Sequence, residues 1–365
     1  ELTKSFIDKR ISVLSRGLRQ DLKLDTEINF NDEVIIGGQL IGKLKGLRLN
    51  LEFTSQTLDT DIKSLKKAAR KGIEEELKKR VKDIIETKDL ILSDTYKIIW
   101  KKNPIGKIRK GKNYLSPEIE IIADESLDSK TREDLIMFLN EWLNIHISEQ
   151  LNDLINLTKL KNSNQYIRAL AFRLYENNGV LKRENVEDIL RNLSKEDRKQ
   201  FRNLGIKLGR YHVFLYKMIK PKAVELRTLL WKFFNDSSNN KEIPRSGLNF
   251  IIDEKRKFNP SFLLICGFEK FRNFYVRVDI LEKLFIKIIE KSESGKFQTN
   301  SDMINLLGCK KENFFQLMSF MNYKKDKSNK ENSFIYVGDQ KKKKMKKFIK
   351  TNDNPFKKLQ SISFK

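Results

Sequence analysis

FRNLGIKLGRYHVFLYKMIKPKAVELRTLLWKFF, residues 201–234, decides how this chain is read. Gly205 and Gly209 punctuate a basic, apolar run, and Pro221 then opens a helix. Leu226, Leu229, Leu230, Phe233 and Phe234 recur at i, i+3, i+4 spacing, which places them on one helix face. The run is too aromatic and apolar for a linker. Its plainest meaning is a helical hairpin in a domain core, and residues 161–235 as a whole read as helical.

Working outward, residues 34–45 (VIIGGQLIGKLK) and 98–109 (IIWKKNPIGKIR) align without gaps at an offset of 64. Each holds an apolar triplet, a polar turn, then Ile-Gly-Lys-(Leu/Ile)-basic. The turns are expected at Gly37-Gly38 and Lys102-Asn103. Each copy continues into an extended segment, 47–53 or 116–122. A helix follows each, over about 60–87 with Thr60 or Asp61 as cap, and over about 129–157 with Ser129 as cap. The expectation is an α+β chain, predominantly helical. It comprises an N-terminal helix (1–30) continuing from a missing upstream region, two repeated β–β–α units (31–160), and a helical domain (161–240). A winged-helix-like unit (241–330) and a Lys-rich tail (331–365) complete it.

In the fourth of these segments, residues 249–256 (NFIIDEKR) suggest a strand, Asn259-Pro260 starts a short helix, and residues 274–278 are β-rich. A helix over 279–291 and two short helices across Gly308, the first capped by Ser301, resemble a helix-turn-helix or winged helix. Beyond Tyr323 lie fourteen lysines against four acids, a net charge of +10, including KKKKMKK at 341–347.

The whole chain carries 74 Lys+Arg against 49 Asp+Glu, a net charge of +25. Such a surplus favours a polyanion, most often nucleic acid. Two cysteines, Cys266 and Cys309, form no disulfide framework, and the expected compartment is the cytoplasm. No apolar run approaches the ~20 residues a membrane helix needs, so no membrane partner is expected.

Residues 37–44 (GGQLIGKL) nearly satisfy the phosphate loop G-x-x-x-x-G-K-[ST]. Leu44 stands where a hydroxyl must reach magnesium, and the context is hairpin and strand, so the glycines read as turn and close-packing residues. His146, His212 and the cysteines are scattered singly and suggest neither a metal site nor a catalytic set. In residues 268–278 (FEKFRNFYVRV), Lys270, Arg272 and Arg277 alternate with Phe271, Phe274 and Tyr275. Cations there suit phosphates while a ring suits a base. The competing reading is an ordinary strand with its aromatics in the core. Lys310 and Lys311 open the second short helix, a place suited to phosphate.

The I-G-K-(L/I) units, L-G-I-K-L-G-R at 204–210, Y-V-R-V-D-I-L-E-K-L at 275–284, G-C-K-K-E-N-F at 308–314 and N-P-F-K-K-L at 354–359 together resemble a known arrangement. It is the C-terminal region of alphaproteobacterial superfamily-two helicases, related to the mitochondrial degradosome RNA helicase of the Suv-three type. The resemblance implies an accessory part that grips or guides a strand beside a two-lobed ATPase motor. The phosphate loop and D-E-x-H box of that motor do not occur in these 365 residues. ATP and magnesium are therefore expected only for the motor, with no cofactor and no catalytic residue here. The expected partners are RNA or DNA and the motor domains of the same polypeptide, with room for a nuclease. The resemblance assigns no strand-contacting residues. On charge and spacing the candidates are Lys207, Arg210, Lys217, Lys220, Lys270, Arg272, Arg277, Lys310, Lys311, Lys341, Lys342, Lys343 and Lys344. Rival readings are a stand-alone winged-helix regulator of duplex DNA and a basic scaffold that recruits RNA.

Overall fold

A computed structural model describes residues 26–36, 39–51, 59–160, 164–235, 243–326 (except 256 and 294) and 333–337, with residues 7 and 10. The expected turn at 37–38, most of the N-terminal helix and the tail beyond 337 lie outside the described residues. The chain divides into two units, residues 1–155 with 225–239, and residues 156–224 with 240–365. Helices and several small antiparallel sheets make it an α+β protein.

The first unit holds two four-stranded antiparallel meanders. Strands β1 (Thr26–Ile28), β2 (Glu33–Ile36), β3 (Gln39–Lys45) and β4 (Arg48–Leu51) precede helix α1 (Asp59–Thr87). Strands β5 (Ile91–Leu92), β6 (Lys97–Trp100), β7 (Asn103–Arg109) and β8 (Glu118–Ile121) precede helix α2 (Ser129–Asn156). The β2–β3 register shifts between Val34 and Ile35, and the β6–β7 register shifts between Ile98 and Ile99. Each meander has four strands before its helix where the β–β–α reading has two.

Gly42 and Lys43 lie inside β3, opposite Leu51 and Asn50. A Cβ on Gly42 would run into the β4 backbone, so glycine is required there for close strand approach. The second hairpin turns on Lys101 (φ 44°) and Lys102 (φ 69°), one residue earlier than expected. Trp100 pairs with Asn103, so the two-residue turn demands left-handed backbone at both lysines.

The helices pack by one stripe each, Ile73, Leu77, Val81 and Ile84 on α1 and Leu135, Leu139, Leu143 and Ile147 on α2. Asp128, rather than Ser129, closes the start of α2, its Oδ2 accepting from the Thr131 N–H at 3.0 Å. Leu47 and Ala123 form a parallel bridge between the two meanders, and the Asp124 N–H donates to the Leu47 carbonyl at 2.8 Å. Arg80, 9% exposed, donates to the Gly46 carbonyl at 3.0 Å and pairs with Asp32 and Glu76.

The second unit departs from an all-helical reading of 161–235. Helix α3 (Gln165–Glu176) leads into β9 (Val180–Lys182), α4 (Glu187–Arg191), α5 (Lys195–Asn203), β10 (Ile206–Leu208) and β11 (His212–Leu215). Two breaks make the strands possible. Asn178-Gly179 and Gly205 adopt positive φ and stop helices α3 and α5 just before β9 and β10. Helix α6 (Pro221–Phe234), which from residue 225 on belongs to the first unit, buries Leu226 and Leu230 of the expected face and half-buries Leu229, Phe233 and Phe234.

Next come β12 (Phe250–Ile252), α7 (Pro260–Ile265), β13 (Phe268–Phe271), β14 (Phe274–Arg277) and α8 (Val278–Glu290). Last are β15 (Lys296–Gln298), α9 (Ser301–Leu307), α10 (Lys311–Phe320), β16 (Tyr323–Lys325) and β17 (Ser333–Tyr336). Asn300, not Ser301, caps α9, accepting from the Met303 N–H at 3.1 Å. Strand β17, in the stretch expected to be tail, is the central strand of its sheet. Within it Ser333 and Phe334 are buried and Tyr336 is exposed.

The three sheets of this unit run β10-β11-β9, β12-β14-β13 and β15-β17-β16, so the last strand in sequence always lies in the middle. Their registers correspond. A residue with positive φ (Gly205, Gly267 or Asn322) precedes the second strand of each. Its carbonyl accepts from the N–H just after the third strand, Tyr216 (3.1 Å), Val278 (2.9 Å) or Val337 (2.9 Å). The residue before each first strand, Gly179, Asn249 or Gly295, accepts from the last residue of the third, Leu215, Arg277 or Tyr336. Phe274, Leu284, Phe314, Leu317 and Phe334 belong to one core that joins the second and third sheets through α8.

Candidate functional site

Within this second unit the β10–β11 loop is fastened from two sides, with Arg210 exposed at its tip. Glu282 on α8 is buried, and its carboxylate accepts from the Arg210 N–H (2.6 Å), the Tyr211 N–H (2.7 Å) and the His212 N–H (2.9 Å). Three donors on one carboxylate are charge-assisted bonds, the stronger class. A Cβ on Gly209 would overlap that carboxylate, which fixes glycine at this position. On the other side, Arg183 Nη1 donates to the Gly209 carbonyl (2.7 Å) and the Arg183 N–H to the Tyr211 carbonyl (2.8 Å). The loop's donors and acceptors are thus both engaged, and the Arg210 side chain is left to project.

His212 is 2% exposed, and its Nε2 lies 2.9 Å from Glu269 Oε2. A carboxylate only accepts, so Nε2 carries the proton. Glu269 Oε1 takes Lys182 Nζ at 2.5 Å. Burial pushes the Glu269 carboxyl up, but the hydrogen bonds from His212 and Lys182 outweigh it and hold the group below its ordinary value. Tyr211 packs edge-on to Phe285, with ring centroids 5.6 Å apart, and burial pushes its hydroxyl far above the usual phenol range.

Around the loop opens a cleft of about 660 Å³. Its charged lining is Lys182, Arg183, Arg191 and Arg210 with the carboxylates Glu184, Glu187 and Glu269, and its aromatic lining is Tyr211, Phe271, Phe320 and Tyr336. Lys182 is tied to Glu269, while Arg183 and Arg191 share Glu187 at 3.4 and 3.7 Å. The Arg210 guanidinium has no carboxylate partner among the described residues. Phe320 and Tyr336 are 48% and 39% exposed.

Of the residues expected from sequence, Arg210 enters this cleft. Lys207 is exposed on β10 opposite Phe214, and Lys217 and Lys220 are exposed in the turn after β11. Lys220 Nζ sits 4.7 Å from the Tyr216 ring centroid. Lys270 is exposed on β13, and Arg272 is exposed in the β13–β14 turn. Arg277 is committed elsewhere, its guanidinium bonding Asp279 at 2.6 and 3.2 Å. Phe274 and Tyr275 are core residues, as the competing reading held, whereas Phe271 reaches the cleft. Lys310 takes the cap position of α10 without a side-chain bond, and Lys311 lies 5.7 Å from the Phe315 centroid. Lys341 to Lys344 lie outside the described residues.

Sequence reasoning missed Lys182, Arg183, Phe320 and Tyr336. Phe320 had a signal, since it falls off the Phe314-Leu317-Met318 stripe of α10 and so faces outward. The others depend on strands that the helical reading did not include.

His146 stacks on Trp142 at 5.4 Å, and burial lowers its pKa. Burial pushes the Cys309 thiol up to about 11, which leaves it protonated at neutral pH. Among the described residues no group of His, Cys, Asp and Glu could hold a metal ion, and no helix is long and apolar enough to cross a membrane. The near-miss phosphate loop does not fit a nucleotide. Lys43 lies within β3, 3.1 Å from Glu33, and Leu44 is fully buried. Comparisons with protein-family models, with curated proteins and with solved structures find no match to the chain.

Proposed function

We infer that this chain is a nucleic-acid-binding accessory region of an ATP-dependent helicase. In this reading it grips or guides RNA or DNA beside a motor that supplies the ATP and magnesium chemistry, and it acts in the cytoplasm. The support is the ordered set of sequence motifs resembling superfamily-two helicases of the Suv-three type, together with the net charge of +25. In the same reading the two meanders are copies of one strand–helix unit, and the three-stranded sheets with their helices are winged-helix-like. Three such units would span 165–337, more than the single one expected at 241–330.

One observation carries the nucleic-acid assignment. Arg210 and Arg272 occupy the same place in two sheets of like strand order, the turn between second and third strands, and both are exposed. In a winged helix that turn is the wing, and a cation there meets the phosphate backbone. Lys310 and Lys311, at the start of the ten-residue helix α10, place positive charge beside helix N–H groups that also favour phosphate. The test is a salt titration of the full chain on single-stranded RNA and duplex DNA, with Arg210→Ala/Arg272→Ala beside a variant in which Lys341 to Lys344 are glutamine. This reading expects the arginine pair to weaken binding and to flatten the salt slope. Loss confined to the lysine variant favours the scaffold reading, in which lysines alone recruit RNA.

A further inference from the structure

The cleft beside Arg210 is built differently from an exposed basic face. One cation, Arg210, stands without a carboxylate, and its backbone is fastened by Glu282 and Arg183 before any ligand arrives. The same cleft holds Phe271 and Phe320, their centroids 6.0 Å apart, with Phe320 nearly half exposed at the end of α10. An exposed phenyl lining a cleft offers a nucleobase a face to stack on. The volume, about 660 Å³, lies in the range of small-molecule sites and suits a base with its sugar and phosphate.

We propose that this cleft takes one unstacked nucleotide of a single strand, its base against the Phe320 ring and its phosphate on Arg210. The proposal rests on the nucleic-acid reading above and narrows it. A base in a duplex is stacked on both faces and offers nothing to Phe320, whereas a single strand can turn a base out onto an aromatic platform. The planar guanidinium of Arg210 matches a phosphate's oxygens as a fork. Because the loop is already held by both its N–H and carbonyl groups, little ordering is lost on binding.

The experiment uses the full chain with a short labelled oligouridylate and a blunt DNA duplex, each titrated with salt. Phe320→Ala is expected to weaken single-strand binding roughly ten-fold, with an unchanged salt slope and unchanged duplex binding. Phe320→Trp is expected to restore binding, and its indole emission to fall when the strand binds. Arg210→Ala is expected to weaken binding and to flatten the single-strand slope by about 0.7. If Phe320→Ala binds the strand as tightly as the parent chain, and the Phe320→Trp emission does not respond, the cleft is not the nucleotide site, although the nucleic-acid reading stands. If the parent chain binds neither nucleic acid at low salt, both fall.

Discussion

Glu282 holds the loop that carries Arg210: one carboxylate oxygen lies 2.6 Å from the Arg210 amide nitrogen, across 72 residues of sequence. A buried acid from one helix thereby sets the backbone of a hairpin turn whose side chain faces a cleft. Glu282→Ala leaves three loop N–H groups without that acceptor. The expected loss of stability is about 3 kcal/mol in urea denaturation, larger than for a surface acid such as Glu290.

Gly209→Ala tests the same relationship from the other partner. Its methyl would occupy space held by the Glu282 carboxylate, so the loop must shift. A loss of about 2 kcal/mol is expected. In a Glu282→Ala background the cost of Gly209→Ala should shrink, since the clash is gone. Additive losses would contradict the contact.

The positive-φ positions before the second strands give a different kind of prediction. Gly267 has φ 88°, and a Cβ there meets Ile219 only at ordinary contact distance, 3.4 Å. Gly267→Ala should therefore cost about 1–2 kcal/mol through backbone strain alone. Asn322, at φ 66° in the corresponding place, should accept glycine with little change in thermal midpoint.

Glu269 gives the pH dependence. Its carboxyl is held below the ordinary 4.5 in the folded chain by His212 and Lys182, against the opposing effect of burial. A depressed folded pKa contributes stability that is fully present above the unfolded value and is lost as pH falls through the folded one. Denaturation midpoints of the parent chain should therefore drop as pH falls below about 4.5, and Glu269→Gln should drop less steeply over that window. Parallel pH profiles would contradict the pairing.

Arg277 separates structural from binding arginines. Its bidentate bond to Asp279 predicts that Arg277→Ala lowers stability by about 1–2 kcal/mol while leaving the salt slope of nucleic-acid binding unchanged.

Local pattern carried much of the architecture. Helices α1, α2, α8 and α10 announce themselves by apolar stripes, and the I-G-K strands by their gapless repeat at an offset of 64. The short strands β9, β10 and β11 did not. Each has three or four residues, too few for a period, and β11 is buried at all four positions, so no polar–apolar alternation marks it. Strand β17 hid in a lysine-rich context, and of its two partners β16 precedes it directly while β15 is remote in sequence. The site was legible at Arg210 and Phe271, and Phe320 was signalled by its place off the apolar stripe of α10. Lys182, Arg183 and Tyr336 join them through strand pairing that no local pattern encodes.

The most direct measurement is binding of the full chain to single-stranded RNA across a salt series, beside Arg210→Ala/Arg272→Ala. The account predicts that the folded hairpin turns, not only the lysine-rich end, carry affinity, so the double variant binds more weakly and its slope of log affinity against log salt falls by about 1.4. Identical affinity and slope for parent and variant would contradict it.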